Sequence, residues 1–139
     1  MLASETCLAA IQAWEDCRFA IYEDLNGHPT IGYGHKLTPI EIACGTYEQG
    51  ITQEQADTLF MADIAPTEAQ VNVLGVWTQG QFDALTSFTF NLGINSTKTM
   101  LAHGLELVPQ NIPLWCHAGG IVQPGLVKRR AQEVEWWNS

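Results

Sequence analysis

The chain has 139 residues, 46% of them hydrophobic, which is enough for one domain with a real core. Six basic residues against fifteen acidic ones leave a net charge of -9, and this argues against a nucleic-acid partner, because phosphate binding needs a basic face. No run of about 18 apolar residues is present to span a membrane, and no lysine or arginine precedes Arg18, so no secretory signal is expected.

Ser4 can cap a first helix, with Glu5 well placed in its first turn. Leu8, Ile11 and Glu15 follow at helical spacing, so Glu15 shares the apolar face. Phe19 to Tyr33 reads as strands around Asn26-Gly27, a strong short-range hairpin signal. Two registers are open. A two-residue loop, Asn26-Gly27, pairs Asp24 with Pro29; a three-residue loop, Asn26 to His28, sets Asp24 across from Thr30 and better suits joint chemistry. In "LTPIEIACG", Thr38 is a cap, Pro39 the first helical residue and Gly45 the stop.

Thr52 with Gln55 resembles a capping box opening "ITQEQADTLFMADI", whose apolar stripe is Ala56, Leu59, Phe60 and Ile64. Pro66 is expected to kink or break that helix. A second box, Thr78 with Gln81, opens "GQFDALTSFTFNLG", with Phe82, Leu85, Phe88 and Leu92 as its buried face and Gly93 as its end. Short helical pieces near 96–103 and 109–116, a Gly/Pro loop "AGGIVQPG" and a final helix over 125–137 complete the chain. Helices dominate, with one small sheet near the N-terminus: an α+β protein.

Cys7, Cys17, Cys44 and Cys116 are widely spaced. Without CxxC or Cys/His metal spacing they point to no metal site and no cofactor. Disulfides and buried free thiols both remain open, and three full pairings exist.

The stretch "AWEDCRFAIYEDLNGHPTIGYGH" crowds carboxylates around a tight turn. A carboxylate on the apolar face of a helix is costly when ionised, and a neutral carboxyl group is what a general acid needs. Asp24, beside a turn with water and backbone amides near, is expected to stay ionised. One acid and one base in different environments is the pairing used in glycoside hydrolysis.

Glu15, Tyr22, Asp24, Gly27, Thr30, Ile31, Gly32, Gly34 and His35 stand at the spacing of one signature, a Glu, an Asp nine positions on and a Thr six beyond, within Y-x-D-x-x-G-x-x-T-I-G-x-G-H. On these residues the chain resembles the phage-type lysozymes (endolysins) of glycoside hydrolase family 24. "ITQEQADTLFMADI" looks like that family's long connecting helix, "QFDALTSFTFNLG" like its central helix and "AGGIVQPGLVKRR" like its C-terminal signature. The resemblance implies one lysozyme-like domain: a hairpin lobe over about 18–50, a helical lobe over about 51–139 plus the N-terminal helix, and a glycan cleft between them.

It further implies a monomer that hydrolyses the β-1,4 bond between N-acetylmuramic acid and N-acetylglucosamine, held in the host cytoplasm until released to the wall. Glu15 would be the acid, Asp24 the base acting on a water, and Thr30 its helper, in an inverting arrangement. Lys36, Phe90 and Asn91 are expected against substrate, and His35 is expected to pair with Asp63 across the two lobes. Arg129 and Arg130 could face substrate, with at least one expected on the surface; Trp115 could line a sugar subsite. Two features depart from the family pattern: Asp16 stands where a glycine usually follows the acid, and the strong negative charge differs from the many basic relatives. The charge keeps a chitin or chitosan hydrolase open as an alternative, beside a non-catalytic wall-binding or virion module.

Overall fold

Capping chemistry sets most of the helix starts. A computed structural model describes residues 1–139, with seven α-helices: α1 (Glu5–Glu15), α2 (Pro39–Cys44), α3 (Gln53–Leu74), α4 (Gln79–Leu92), α5 (Ile94–Leu101), α6 (Val108–Asn111) and α7 (Pro124–Trp137). Thr38 and Thr78 close full capping boxes with Glu41 and Gln81. Thr52 and Gln55 exchange the same pair of bonds ahead of α3, and the Ser4 hydroxyl accepts from the Cys7 amide ahead of α1. The chain separates into two compact units, Glu15–Ala65 and Met1–Trp14 with Pro66–Ser139.

In the Glu15–Ala65 unit, three antiparallel strands form a sheet in the order β1 (Arg18–Glu23), β2 (Pro29–Gly32), β3 (His35–Lys36). The register pairs Tyr22 with Thr30 and Glu23 with Pro29, then Thr30 with Lys36. Both anticipated registers are therefore corrected. The loop is Leu25 to Gly27, and Asp24 faces His28, to whose carbonyl its amide donates at 3.0 Å. The reason is local: the Gly27 amide bonds back to the Asp24 carbonyl, and Gly27 takes a left-handed φ of 75°. That is a turn followed by a left-handed closing residue, the usual three-residue hairpin loop. Ile31, Leu37, Ala56, Phe60 and Ile64 are this unit's buried apolar residues, and the Tyr33 and Phe60 rings meet edge-on at 5.6 Å.

In the other unit, α4 is buried at every position from Phe82 to Thr89, a wider face than the stripe of Phe82, Leu85, Phe88 and Leu92. Three of its four buried polar residues are bonded through their side chains, while the Thr86 hydroxyl is buried without a partner. Asp83 accepts from Ser4 and Gln79, Ser87 donates to Glu133, and the Thr89 and Thr97 hydroxyls meet at 2.7 Å. Gly80 explains how α4 packs on α7. A Cβ there would run into the Trp136 carbonyl oxygen, so only glycine permits the approach.

Three further expectations are corrected. Of the kink or break expected at Pro66, the break does not occur: helix α3 runs through Pro66 to Leu74, and the proline marks the division between the two units. "AGGIVQPG" contains a hairpin, β4 (His117–Ala118) and β5 (Ile121–Val122), turning on Gly119 and Gly120, which both take left-handed φ values. Arg129 and Arg130 are both buried, at 4% and 0% exposure. The four cysteines are free thiols, with Cys7 buried and Cys44 exposed. No helix is long and apolar enough to cross a membrane.

Candidate active site

Of the site residues expected from sequence, Glu15, Asp24, Thr30, His35, Lys36 and Asp63 all fall in the Glu15–Ala65 unit. Phe90 and Asn91, both half-buried near the end of α4, belong to the other.

Asp24 follows β1 directly. Its Oδ1 accepts from the backbone amides of Asn26 at 2.8 Å and His28 at 2.9 Å. The His28 amide above all holds its carboxyl below the ordinary carboxylate value; slight burial opposes this, while the Asn26 amide and the Lys36 charge assist. Lys36 Nζ lies 3.9 Å from Asp24 Oδ2. The Thr30 hydroxyl donates to the His28 carbonyl at 2.9 Å. That bond uses its proton and leaves its lone pairs as acceptors.

Glu15 is the last residue of α1, half-buried. Its carboxylate rests against Gly34, where an added Cβ would come within 3.1 Å of Glu15 Oε2. Gly34 has φ +80°, so the tight β2–β3 turn and the seat for the carboxylate both need glycine. The phenol of Tyr22 senses both acids. Burial raises its pKa first, the Arg18 guanidinium lowers it, and the charges of Glu15 and Asp24 raise it again. Arg18 stacks over the Tyr22 ring at 4.7 Å.

Asp16 takes a left-handed φ of 60° immediately after α1. Its own Oδ1 accepts from the Cys17 amide, a local bond that eases the conformation. This explains why glycine suits the position. Asp16→Gly is expected to raise stability by about 0.5 kcal/mol, since it removes left-handed strain while adding some unfolded-state entropy. Urea denaturation of the two proteins checks it.

His35 sits between two carboxylates. Its Nδ1 is 2.8 Å from Asp63 Oδ2 and its Nε2 is 2.9 Å from Glu41 Oε1. Sequence reasoning named Asp63 and missed Glu41, although the Thr38-Pro-Ile-Glu41 capping pattern was there to be seen. The pair was expected across two lobes; both partners lie within one unit, because the division in α3 comes after Asp63. Burial lowers the His35 pKa, but the bonds to Glu41 and Asp63 outweigh it and the net direction is up. Glu41 is raised by burial, yet the Thr38 amide, His35 and Tyr47 bring it down to about 2. Asp63 is raised, chiefly by burial, against the pull of His35.

A raised histidine stabilises fully below its unfolded value and loses that contribution as pH climbs through the folded one. A depressed Glu41 stabilises above its unfolded value and fails as pH falls towards 2. The cluster is therefore strongest between about pH 4.5 and 6.5. His35→Asn is expected to cost about 2 kcal/mol near pH 5.5 and progressively less above neutrality. Chemical denaturation from pH 5 to 9 measures this, and a pH-independent difference would contradict it.

Trp115 packs edge-on against Phe88 at 5.6 Å, and its carbonyl accepts from Arg130.

A mostly helical chain with a small three-stranded antiparallel sheet, a glutamate at the end of the helix before it, an aspartate in its first loop and a threonine on its middle strand defines a lysozyme-like α+β protein. The phage lysozyme family model matches residues 12–133, so the chain belongs to the phage lysozyme family. It is 36% identical over 151 residues to the endolysin of Acyrthosiphon pisum secondary endosymbiont phage 1, covering 100% of this chain and 99% of that one. It is 34% identical over 149 residues to the endolysin of Bacillus phage PZA, covering 100% of this chain and 56% of that protein. The chain thus spans little more than half the length of the Bacillus phage relatives it matches. Among solved structures, the muramidase domain of SpmX from Asticaccaulis excentricus superposes with a TM-score of 0.78 at 29% identity, over 98% of this chain and 97% of that one.

Proposed function

We propose that the chain is a muramidase that cleaves the β-1,4 bond between N-acetylmuramic acid and N-acetylglucosamine in peptidoglycan, serving phage lysis after release to the wall. One observation carries this reading: two carboxylates in different settings share a small unit. Asp24 is kept anionic by backbone amides, while Glu15 ends a helix against Gly34.

In the proposed mechanism Glu15 gives its proton to the leaving glycosidic oxygen. A water attacks the anomeric carbon, and Asp24 takes the proton it loses. The acceptor lone pairs of Thr30 can hold the other hydrogen of that water, which a nucleophilic carboxylate would not require. The reaction then inverts. Asn91 Oδ1, buried with no partner, supports a role as a hydrogen-bond acceptor for a sugar, and half-buried Phe90 suits an apolar wall.

Two measurements test the reading. Purified peptidoglycan and chitosan are offered side by side; clearing of the first supports a muramidase, and sugar release from the second alone would favour a chitosan hydrolase, which the charge of -9 suits. Proton NMR of the first product, taken before mutarotation, is expected to show the α anomer. Initial β anomer would mean a retaining path with Asp24 as nucleophile.

A further inference from the structure

The Glu15–Ala65 unit contains nine acidic residues and two cations of fixed charge, Arg18 and Lys36. The chain's other four cations, Lys98, Lys128, Arg129 and Arg130, lie in the other unit, and two of those are buried. Both cations of the acidic unit stand on the sheet that carries Thr30. Cross-strand pairing sets Tyr22, Thr30 and Lys36 in one row across the three strands, on one face. Arg18 joins that face through its stack on Tyr22, and Asp24 lies two residues beyond Tyr22.

Neither cation is used up by its neighbour. Lys36 is 64% exposed, and its 3.9 Å contact with Asp24 is beyond hydrogen-bond length, so the ammonium keeps donors to offer. The Arg18 guanidinium lies over the Tyr22 ring at 4.7 Å, and a stacked guanidinium keeps its in-plane N–H fork to grip a carboxylate with two parallel bonds. Packing does not require either charge, since both residues are exposed.

We infer that Arg18 and Lys36 form a recognition site for a carboxylate carried by the glycan substrate, beside the residues that cleave it. This rests on the muramidase reading and deepens it. In a chain of net charge -9, long-range attraction to an anionic polymer is absent. Short-range contact to an individual carboxylate can still select and orient the strand, because the two cations act within a few ångströms, inside the screening length of about 8 Å at physiological salt. Two sources supply the group: the stem peptide, and the lactyl arm of muramic acid once the peptide is removed.

The test separates binding from cleavage. The full chain carrying Glu15→Gln is pelleted with intact sacculi, with sacculi whose carboxylates have been converted to methylamides, and with strands stripped of stem peptide by an amidase. Methylamidation is expected to weaken binding about tenfold. Arg18→Gln and Lys36→Gln are each expected to weaken binding to untreated sacculi about threefold to fivefold, and to shrink the difference between untreated and methylamidated sacculi; the double variant should erase it. Loss of binding on stripping assigns the stem peptide, and retention assigns the lactyl group; either supports a carboxylate site. Equal binding to intact and methylamidated sacculi, or discrimination that survives in the double variant, overturns the inference. Wild-type hydrolysis of the same sacculi is scored separately. Carboxylate-dependent binding without cleavage would sink the muramidase reading alone.

Discussion

Glu15→Gln is expected to lower the rate of wall lysis at least about a thousandfold while leaving the fold intact, within the range a general acid contributes. Glutamine keeps the size of glutamate and can make the same contact beside Gly34, where the carboxylate now sits. It has no proton to give to the leaving oxygen. The variant is expected to stay folded, because glutamine fills the same half-buried space at the helix end. Turbidity loss of purified sacculi gives the rate, and thermal melting gives the control. Substantial residual activity in a folded variant would remove Glu15 from the acid role.

The largest effect on stability is expected at Glu133, far along the chain from the proposed chemistry. Its carboxylate is fully buried, with Arg130 Nε 2.6 Å from Oε2 and Arg130 Nη2 2.8 Å from Oε1. The Ser87 hydroxyl donates to Oε1 at 2.6 Å, and Arg129 Nε lies 3.7 Å away. Burial pushes the Glu133 carboxyl up and the Arg130 guanidinium down, and their mutual attraction opposes both. Glu133→Ala would leave the buried Arg130 guanidinium without this anion. The cost is about 3–5 kcal/mol, a large part of the roughly 5–15 kcal/mol that holds a domain together. That corresponds to a fall of about 10–20 °C in Tm. Glu133→Gln, which retains an acceptor for Ser87 and Arg130, should lose less. A melting temperature unmoved by Glu133→Ala would mean that water reaches the Arg130 guanidinium.

Local signals were enough for much of this protein. Thr38, Thr52 and Thr78 mark helix starts because a cap and its N3 partner act within four residues of chain. The Glu15, Asp24 and Thr30 spacing was legible for a related reason: all three lie in one short, contiguous stretch, and the tight turns at Gly27 and Gly34 leave narrow choices of residue. The α+β class followed from helical periodicity and a single strong hairpin signal.

Tertiary structure decided what depends on distant partners. Pro66 reads as a kink or a break, and α3 passes through it unbroken, since the loss of one amide bond can be borne by a helix whose flanking Ile64 and Thr67 are buried. At least one of Arg129 and Arg130 reads as a surface residue because arginine normally is; only the fold brings Ser87 of α4 to Glu133 and makes the burial of both possible. The hairpin register depended on which backbone groups in a five-residue turn satisfied one another, and Asp24, by accepting from two amides there, chose a loop that neither sequence register contained. Arg18 and Lys36 were an arginine and a lysine eighteen positions apart; strand pairing put them on the face that carries Asp24 and Thr30, and pairing energy between strands is not written in either strand alone.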